Sequence, residues 1–161
     1  MIDIHPTAVI FPGVVIEDGV SIGPYCIIGA KAEYRKFWNS ESLFSVIIKK
    51  GTIITGHVTI DAGTDKHTEI GKDCFIMKGV HIGHDATIRD EVTLSPHVVI
   101  AGHCEIGERT NMGIGSIVHQ HIKIPEDCMI GMNTTVTKRT HLIPNWVYIG
   151  SPAEKLRKNK K

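Results

Sequence analysis

Leucine is scarce in this chain, with 4 among 161 residues against 25 isoleucines and 13 valines. A helical domain draws first on leucine and β-branched residues favour strands, so the balance excludes a mostly helical fold. Aromatic residues make up only 6%, and no apolar run approaches the roughly 18 residues of a spanning helix. Neither sign of charge is in excess. The net charge of +1 removes the electrostatic reason to expect nucleic acid or a membrane surface as partner. The opening Met1-Ile2-Asp3-Ile4-His5-Pro6 lacks the basic and apolar regions of a secretory signal, which leaves the cytoplasm as the expected compartment. What remains is the profile of one soluble globular domain.

What is present is a repeat. Aliphatic residues fall on a step of six: Ile4, Ile10, Ile16, Ile22 and Ile28, then Ile48, Ile54 and Ile60, then an unbroken run of twelve from Ile70 and Ile76 to Ile130 and Val136. Twelve consecutive hits would arise by chance roughly a few times in a million, so the period is structural. The position two before each aliphatic is small, as at Ala8, Cys26, Thr52, Val80, Ala86, Ser116 and Thr134. A spacing of two puts both residues on the same face of a strand. Six helical steps of about 100° end some 240° away, so a helix cannot repeat this pattern. Each hexad therefore reads as a short strand with two inward residues and a corner, stacked into a parallel β-helix.

The phase breaks twice. Between Ile28 and Ile48 the step is 20, which as two more than a full coil marks a loop containing Tyr34, Arg35, Lys36, Phe37 and Trp38. Between Ile60 and Ile70 the step is 10, and a polar loop follows Asp61. Loops on a rigid scaffold are usual sites of function. After Val136 the phase ends, and Trp146-Val147-Tyr148-Ile149 is expected to add a last strand before a lysine-rich end. The expected layout is a catalytic solenoid over residues 1–137, with loops near 30–46 and 61–69, and a C-terminal strand and basic tail over 138–161.

Cys26, Cys74, Cys104 and Cys128 all occupy the small inward position. They read as buried interior thiols, inert in apolar surroundings, which argues against a metal centre or an acyl-cysteine intermediate. Histidine is abundant, at 10, with seven between His67 and His121.

The recurring Ile-Gly-x-x-small pattern, as in Ile22-Gly23-Pro24-Tyr25-Cys26 and Ile106-Gly107-Glu108-Arg109-Thr110, resembles the hexapeptide repeat of the left-handed β-helix acyltransferases. The resemblance implies that three hexads close a triangular coil of 18 residues and that the hand is left, against the general rule for parallel crossovers. On such coils His84, Gly102 and Gln120 share one column, and Asp85, His103 and His121 the next. The segments His81-Ile82-Gly83-His84-Asp85, Ala101-Gly102-His103 and Val118-His119-Gln120 are similar to those of the lipid A-type UDP-N-acetylglucosamine acyltransferases. That likeness implies His84 as general base and Gly102 as a backbone donor to the oxyanion. It implies Lys36, His81, His103, His119 and Gln120 as contacts to the sugar nucleotide. Asp85 is a candidate to hold the His84 tautomer, although neighbouring residues diverge at a corner and a backbone carbonyl could orient the ring instead.

The C-terminus departs from that family, which carries a helical domain engaged with acyl-carrier protein. Here Gly150-Ser151-Pro152-Ala153, with Lys155 and Arg157, is similar to the ending of coenzyme A-dependent hexapeptide acetyltransferases, which implies contacts to that cofactor. The alternative is a frayed tail. The preferred reading is an acyltransferase, forming a homotrimer, that moves an acyl group directly from acyl-coenzyme A to an amine or hydroxyl of a nucleotide-linked sugar. It keeps no permanently bound cofactor and no metal. An acyl-carrier protein donor, acting on UDP-N-acetylglucosamine, is the first alternative. A γ-type carbonic anhydrase would need a histidine at position 89, where Arg89 stands, and a non-enzymatic assembly module leaves the histidine column unexplained.

Overall fold

The computed structural model describes residues 1–40 and 43–160 as a stack of triangular coils built from parallel two- to four-residue strands. The first side runs from Asp3–Ile4 through Phe75–Ile76 to Met129–Ile130 and Trp146–Ile149. The second contains Ile27–Ala30, Thr59–Asp61, His81–Ile82, Val99–Ile100, Ile117–Val118 and Thr135–Val136. Thr68–Ile70, Thr87–Ile88 and Glu105–Ile106 lie on the third. Residues 18 apart face each other, as in Ile82↔Ile100 and Ile88↔Ile106, so the period of six becomes three sides per turn. The inward aliphatics stack in columns with essentially no exposure, Ile60, Ile82, Ile100 and Val118 among them. Each such side chain contributes roughly 1.5–3 kcal/mol of burial.

Both insertions leave at one corner, between the second and third sides. Their sizes correct the arithmetic from spacing. Ile28 and Ile48 sit on adjacent sides of a single coil, and the offset there is 32 (Val15↔Ile47) instead of 18, so the first loop adds fourteen residues, not two. At the second loop the offset is 22 (Thr59↔His81), an addition of four.

The corners also account for part of the histidine excess. The residue before most of the small inward positions adopts positive φ, and among the described residues nine of the twelve non-glycine residues with positive φ are Asp, Asn or His. These residue types tolerate the left-handed region best. His57, His97, His103 and His121 therefore stand where the backbone favours them, whatever else they do.

Residues 146–149 and 154–158 form strands where a frayed tail was the alternative. Trp146–Ile149 adds a strand on Met129–Ile130, with Tyr148 wholly buried, and Glu154–Lys158 folds back antiparallel on it. The five exposed residues of that last strand, two lysines and an arginine among them, blunt the edge of the sheet. Among the described residues no helix is long and apolar enough to cross a membrane.

Candidate active site

At the corner that carries both loops, His84 and Asp85 form a close pair. His84 Nδ1 lies 2.7 Å from Asp85 Oδ2. Neighbours at a corner converge here because Asp85 has φ 61, a twist that brings its side chain beside the preceding one. The carboxylate has no exposed surface and is wrapped by the second loop. Its Oδ1 accepts the N–H groups of Thr64, Asp65 and Lys66 at 3.0, 2.8 and 2.9 Å, and its Oδ2 accepts the Thr64 hydroxyl at 2.7 Å. Burial alone would raise its pKa, but the bonds from His84, the Asp65 and Lys66 N–H groups and the Thr64 hydroxyl hold the carboxyl far below the ordinary range. A buried anion fixed at the His84 Nδ1–H leaves Nε2 as the nitrogen with the free lone pair.

That Nε2 lies over Gly102. A Cβ built on Gly102 would come within 2.7 Å of it, so the glycine is required by the ring. In a regular coil the N–H two residues after the inward aliphatic has no backbone partner in the next coil, which is why proline can stand there at Pro6, Pro12, Pro24 and Pro96. Gly102 holds that same position after Ile100, and among the described residues its N–H donates to no backbone acceptor. It is a spare donor beside the imidazole.

Other rings extend the site. Tyr34, from the first loop, stacks on His84 with centroids 5.6 Å apart and planes 2° apart. His103 meets His84 edge-on at 5.0 Å and stacks on His121 at 4.6 Å. Burial lowers the pKa of His103, with His84 and His121 adding to the effect against the pull of Asp85 and Asp65. His81 Nδ1 lies 2.8 Å from the Thr59 hydroxyl, and its Nε2 stands 4.0 Å from Asp61. His84, Asp85 and His103 offer donor atoms within 4.8 Å of one another, close enough for a metal ion. Both Asp85 oxygens are already committed to hydrogen-bond donors, so the set does not form a ready cation site.

Of the expected residues, His81, His84, Asp85, Gly102 and His103 come together at this corner. Gln120 follows two coils' height above His84 in the same column, exposed, and its carbonyl lies 3.2 Å from His119 Nδ1. Lys36 is exposed in the short 3-10 turn Arg35–Phe37, two residues beyond Tyr34. His119 lines a surface cleft of about 450 Å³ with Thr137, Lys138, Arg139, Ser151 and Pro152. Gly150, Ser151, Pro152 and Ala153 form the turn of the terminal hairpin, where Ala153 is buried and donates to the Thr135 carbonyl. Lys155 lies over the Trp146 ring at 4.4 Å, and Arg157 sits opposite Val147 in the hairpin. Neither lines the cleft.

Spacing alone missed four contributors: Tyr34, and Thr64, Asp65 and Lys66 of the second loop. Missed too were Lys138 and Arg139, although they continue the His84 and Asp85 columns by the same step of 18. The thiols are as expected: all four are free and buried, and burial pushes Cys74 up to about 11.

The chain carries the bacterial transferase hexapeptide: that family, described with six repeats, matches residues 67–102, and the hexapeptide repeat of succinyl-transferase matches residues 105–138. With the coil geometry, this makes it a left-handed parallel β-helix of the hexapeptide-repeat class. Its relatives include an acyl-[acyl-carrier-protein]--UDP-N-acetylglucosamine O-acyltransferase of Burkholderia lata, 32% identical over 81% of this chain and 64% of the relative. The chain thus spans a little under two thirds of that relative's length. Among solved structures, a UDP-N-acetylglucosamine acyltransferase of Bacteroides fragilis is 27% identical with a TM-score of 0.91, over 98% of this chain and 61% of that one. The UDP-N-acetylglucosamine O-acyltransferase of Moraxella catarrhalis is also 27% identical, with a TM-score of 0.80 over 98% and 75%.

Proposed function

We propose that this chain transfers an acyl group from a thioester to a hydroxyl of a UDP-N-acetylglucosamine-type nucleotide sugar, with acyl-carrier protein as the donor's carrier. The observation that carries it is the His84–Asp85 pair facing the spare N–H of Gly102. The relatives' names support the acceptor and the carrier-protein donor, which takes precedence over the coenzyme A donor that the C-terminal sequence favoured.

In this reading His84 Nε2 takes the proton of the acceptor hydroxyl as its oxygen attacks the thioester carbonyl. Asp85 holds the tautomer and offsets the imidazolium charge that forms. The Gly102 N–H donates to the tetrahedral oxyanion, a contribution commonly of about 2.7–4 kcal/mol. Collapse expels the thiol, which recovers the proton from His84. Lys36, His81, His103, His119 and Gln120 bind the sugar nucleotide, and the His103 ring, whose pKa burial lowers, offers a donor or acceptor to a sugar hydroxyl.

A second reading, coenzyme A as donor, draws on the cleft where Lys138 and Arg139 meet Ser151 and Pro152, an apolar-walled groove with two cations suited to a phosphate-bearing thiol. The functional unit is a homotrimer with each site between two subunits. Support comes from the outward face of the second side, where Val9, Ile27 and Ile117 are 50%, 40% and 43% exposed, while the third side bears the Arg89–Glu105–Lys123 ion-pair ladder. The reaction is assigned to the cytoplasm, a reducing compartment that suits four unpaired thiols.

The deciding experiment incubates the protein with UDP-N-acetylglucosamine and either acyl-carrier-protein thioesters or acetyl-coenzyme A, following the acylated nucleotide by mass spectrometry. Product from the carrier-protein thioester is expected. Product from neither donor, with other nucleotide sugars tried in parallel, overturns the proposal.

A further inference from the structure

The first loop leaves the coil beside one buried carboxylate that none of the roles above uses. Asp61 is 7% exposed, at the end of Thr59–Asp61, and the next residue, Ala62, donates its N–H to the Ala30 carbonyl at 2.8 Å and so closes the base of the loop. The Asp61 carboxyl faces the backbone N–H of Glu33 from the loop on one side and, at 4.0 Å, the Nε2 of His81 on the other, while His81 Nδ1 lies 2.8 Å from the Thr59 hydroxyl. One residue beyond Glu33, Tyr34 stacks on His84.

The coil does not ask for a charge at this position. Equivalent places in later hexads of the same side hold Gly83, Ala101, His119 and Thr137. A carboxylate taken out of water is costly unless its partners use it. Here the partners are a loop N–H and an imidazole, one on each side of the corner. Burial pushes the carboxyl pKa up, with His81 pulling it down and Glu33 adding to the rise.

We infer that Asp61 is a positioning residue: it ties His81 on the solenoid wall to the base of the 31–45 loop, and through that loop sets Tyr34 over His84. Its effect on turnover rests on the acyl-transfer reading of His84. Its effect on the loop does not. Without the tie, the loop base opens more often, Tyr34 leaves the imidazole, and His81 loses the group that fixes its Nε2 edge. Acceptor binding suffers more than the chemical step, because His84, Asp85 and Gly102 are held by the second loop and the coil.

The test combines amide hydrogen exchange of residues 33–36 with steady-state kinetics on the full-length protein. Asp61→Ala should speed exchange there on the order of tenfold and raise acceptor KM by a similar factor, with kcat falling less. Asp61→Asn keeps an oxygen for the Glu33 N–H and should restore most of the loop protection, which a simple loss of packing would not do. Should Asp61→Ala fail to fold, Glu33→Pro removes the donor from an exposed loop residue and should loosen residues 34–36 in the same way. Exchange unchanged in whichever of these two variants folds, or Asp61→Asn as loose as Asp61→Ala, overturns the inference. If the wild-type protein acylates no nucleotide sugar, the functional proposal fails while the exchange result still decides the role of Asp61.

Discussion

His84 separates function from stability at a single residue, because its side chain lies outside the columns of Ile82 and Ile88 and makes its bond to a neighbour that the second loop holds independently. His84→Ala should lower kcat by about 10² to 10⁴ with little change in thermal midpoint. A kcat near normal across pH 6 to 9 would require another base. Gly102→Ala tests the same site from below: a methyl group 2.7 Å from Nε2 must push the ring away, so kcat should fall while the coil, which keeps every backbone bond, stays folded. Asp85 differs, since it joins loop to coil. Its folded pKa is depressed below the ordinary value of about 3.9, so its bonds contribute stability in full above that pH. That contribution is lost as pH falls through the folded value. Asp85→Asn should therefore lower the urea midpoint at pH 7 and shrink the difference between pH 7 and pH 3. A midpoint difference as large as wild type's would show that the acid limb belongs to other carboxylates. The His84–Gly102 column was legible in the sequence because a rigid period of 18 converts spacing into position. The His84–Asp85 bond was one of two orientations the sequence left open, since neighbouring side chains at a corner converge only where the backbone turns as it does at Asp85.

At the scale of elements, the coil's regularity made strands readable and the insertions unreadable. A step of 20 between Ile28 and Ile48 cannot by itself distinguish a coil with two extra residues from one side with fourteen, and only the pairing Val15↔Ile47 decides it. Nor does polarity announce that Thr64, Asp65 and Lys66 turn three N–H groups onto one carboxylate, an arrangement made by backbone and independent of side-chain type. The terminal hairpin follows from an ordinary demand: the last coil needs a lid. Tyr148, wholly buried with its hydroxyl donating to the Ile143 carbonyl and accepting the Ile143 N–H, fills the place that an aliphatic holds elsewhere. Tyr148→Ala should cost about 3–5 kcal/mol, as for large aromatic truncations, measured by denaturant unfolding. A loss under 1 kcal/mol would mean the hairpin is peripheral. The cleft against this hairpin gives the donor a separate test. Lys138→Ala should raise the KM for the thioester donor with kcat nearly unchanged, and an effect on acceptor KM instead would assign the cleft to the nucleotide sugar.

Over the whole molecule the three sides are unlike, and that asymmetry is what an assembly would exploit. The third side presents the alternating charges of Lys49–Glu69 and Arg89–Glu105–Lys123, which gain most from staying in water. The first side exposes Ile53 and Phe75 away from the loop corner. The second side presents Val9, Ile27 and Ile117, with Thr59 and His81 between them, and its far corner carries both loops and the His84 site. A three-fold axis parallel to the stack would bury this apolar stripe and bring a second subunit to the open mouth of each site. From the sequence a trimer was expected on the flat sides of a triangular coil and on resemblance, since outward residues carry no period that distinguishes a contact from a solvated face. Light scattering should therefore give three times the chain mass of 17.7 kDa at micromolar concentration. Ile117→Asp sharpens the test. In an isolated solenoid residue 117 is 43% exposed, so a carboxylate there stays hydrated and the coil folds as before. Across a closed interface three such carboxylates would lose water without partners, a cost of several kcal/mol per ion that the assembly could not meet. The variant should be a folded monomer with unchanged circular dichroism and greatly reduced turnover. A wild-type monomer would remove the second subunit from the site altogether, and an Ile117→Asp trimer would move the interface to another side.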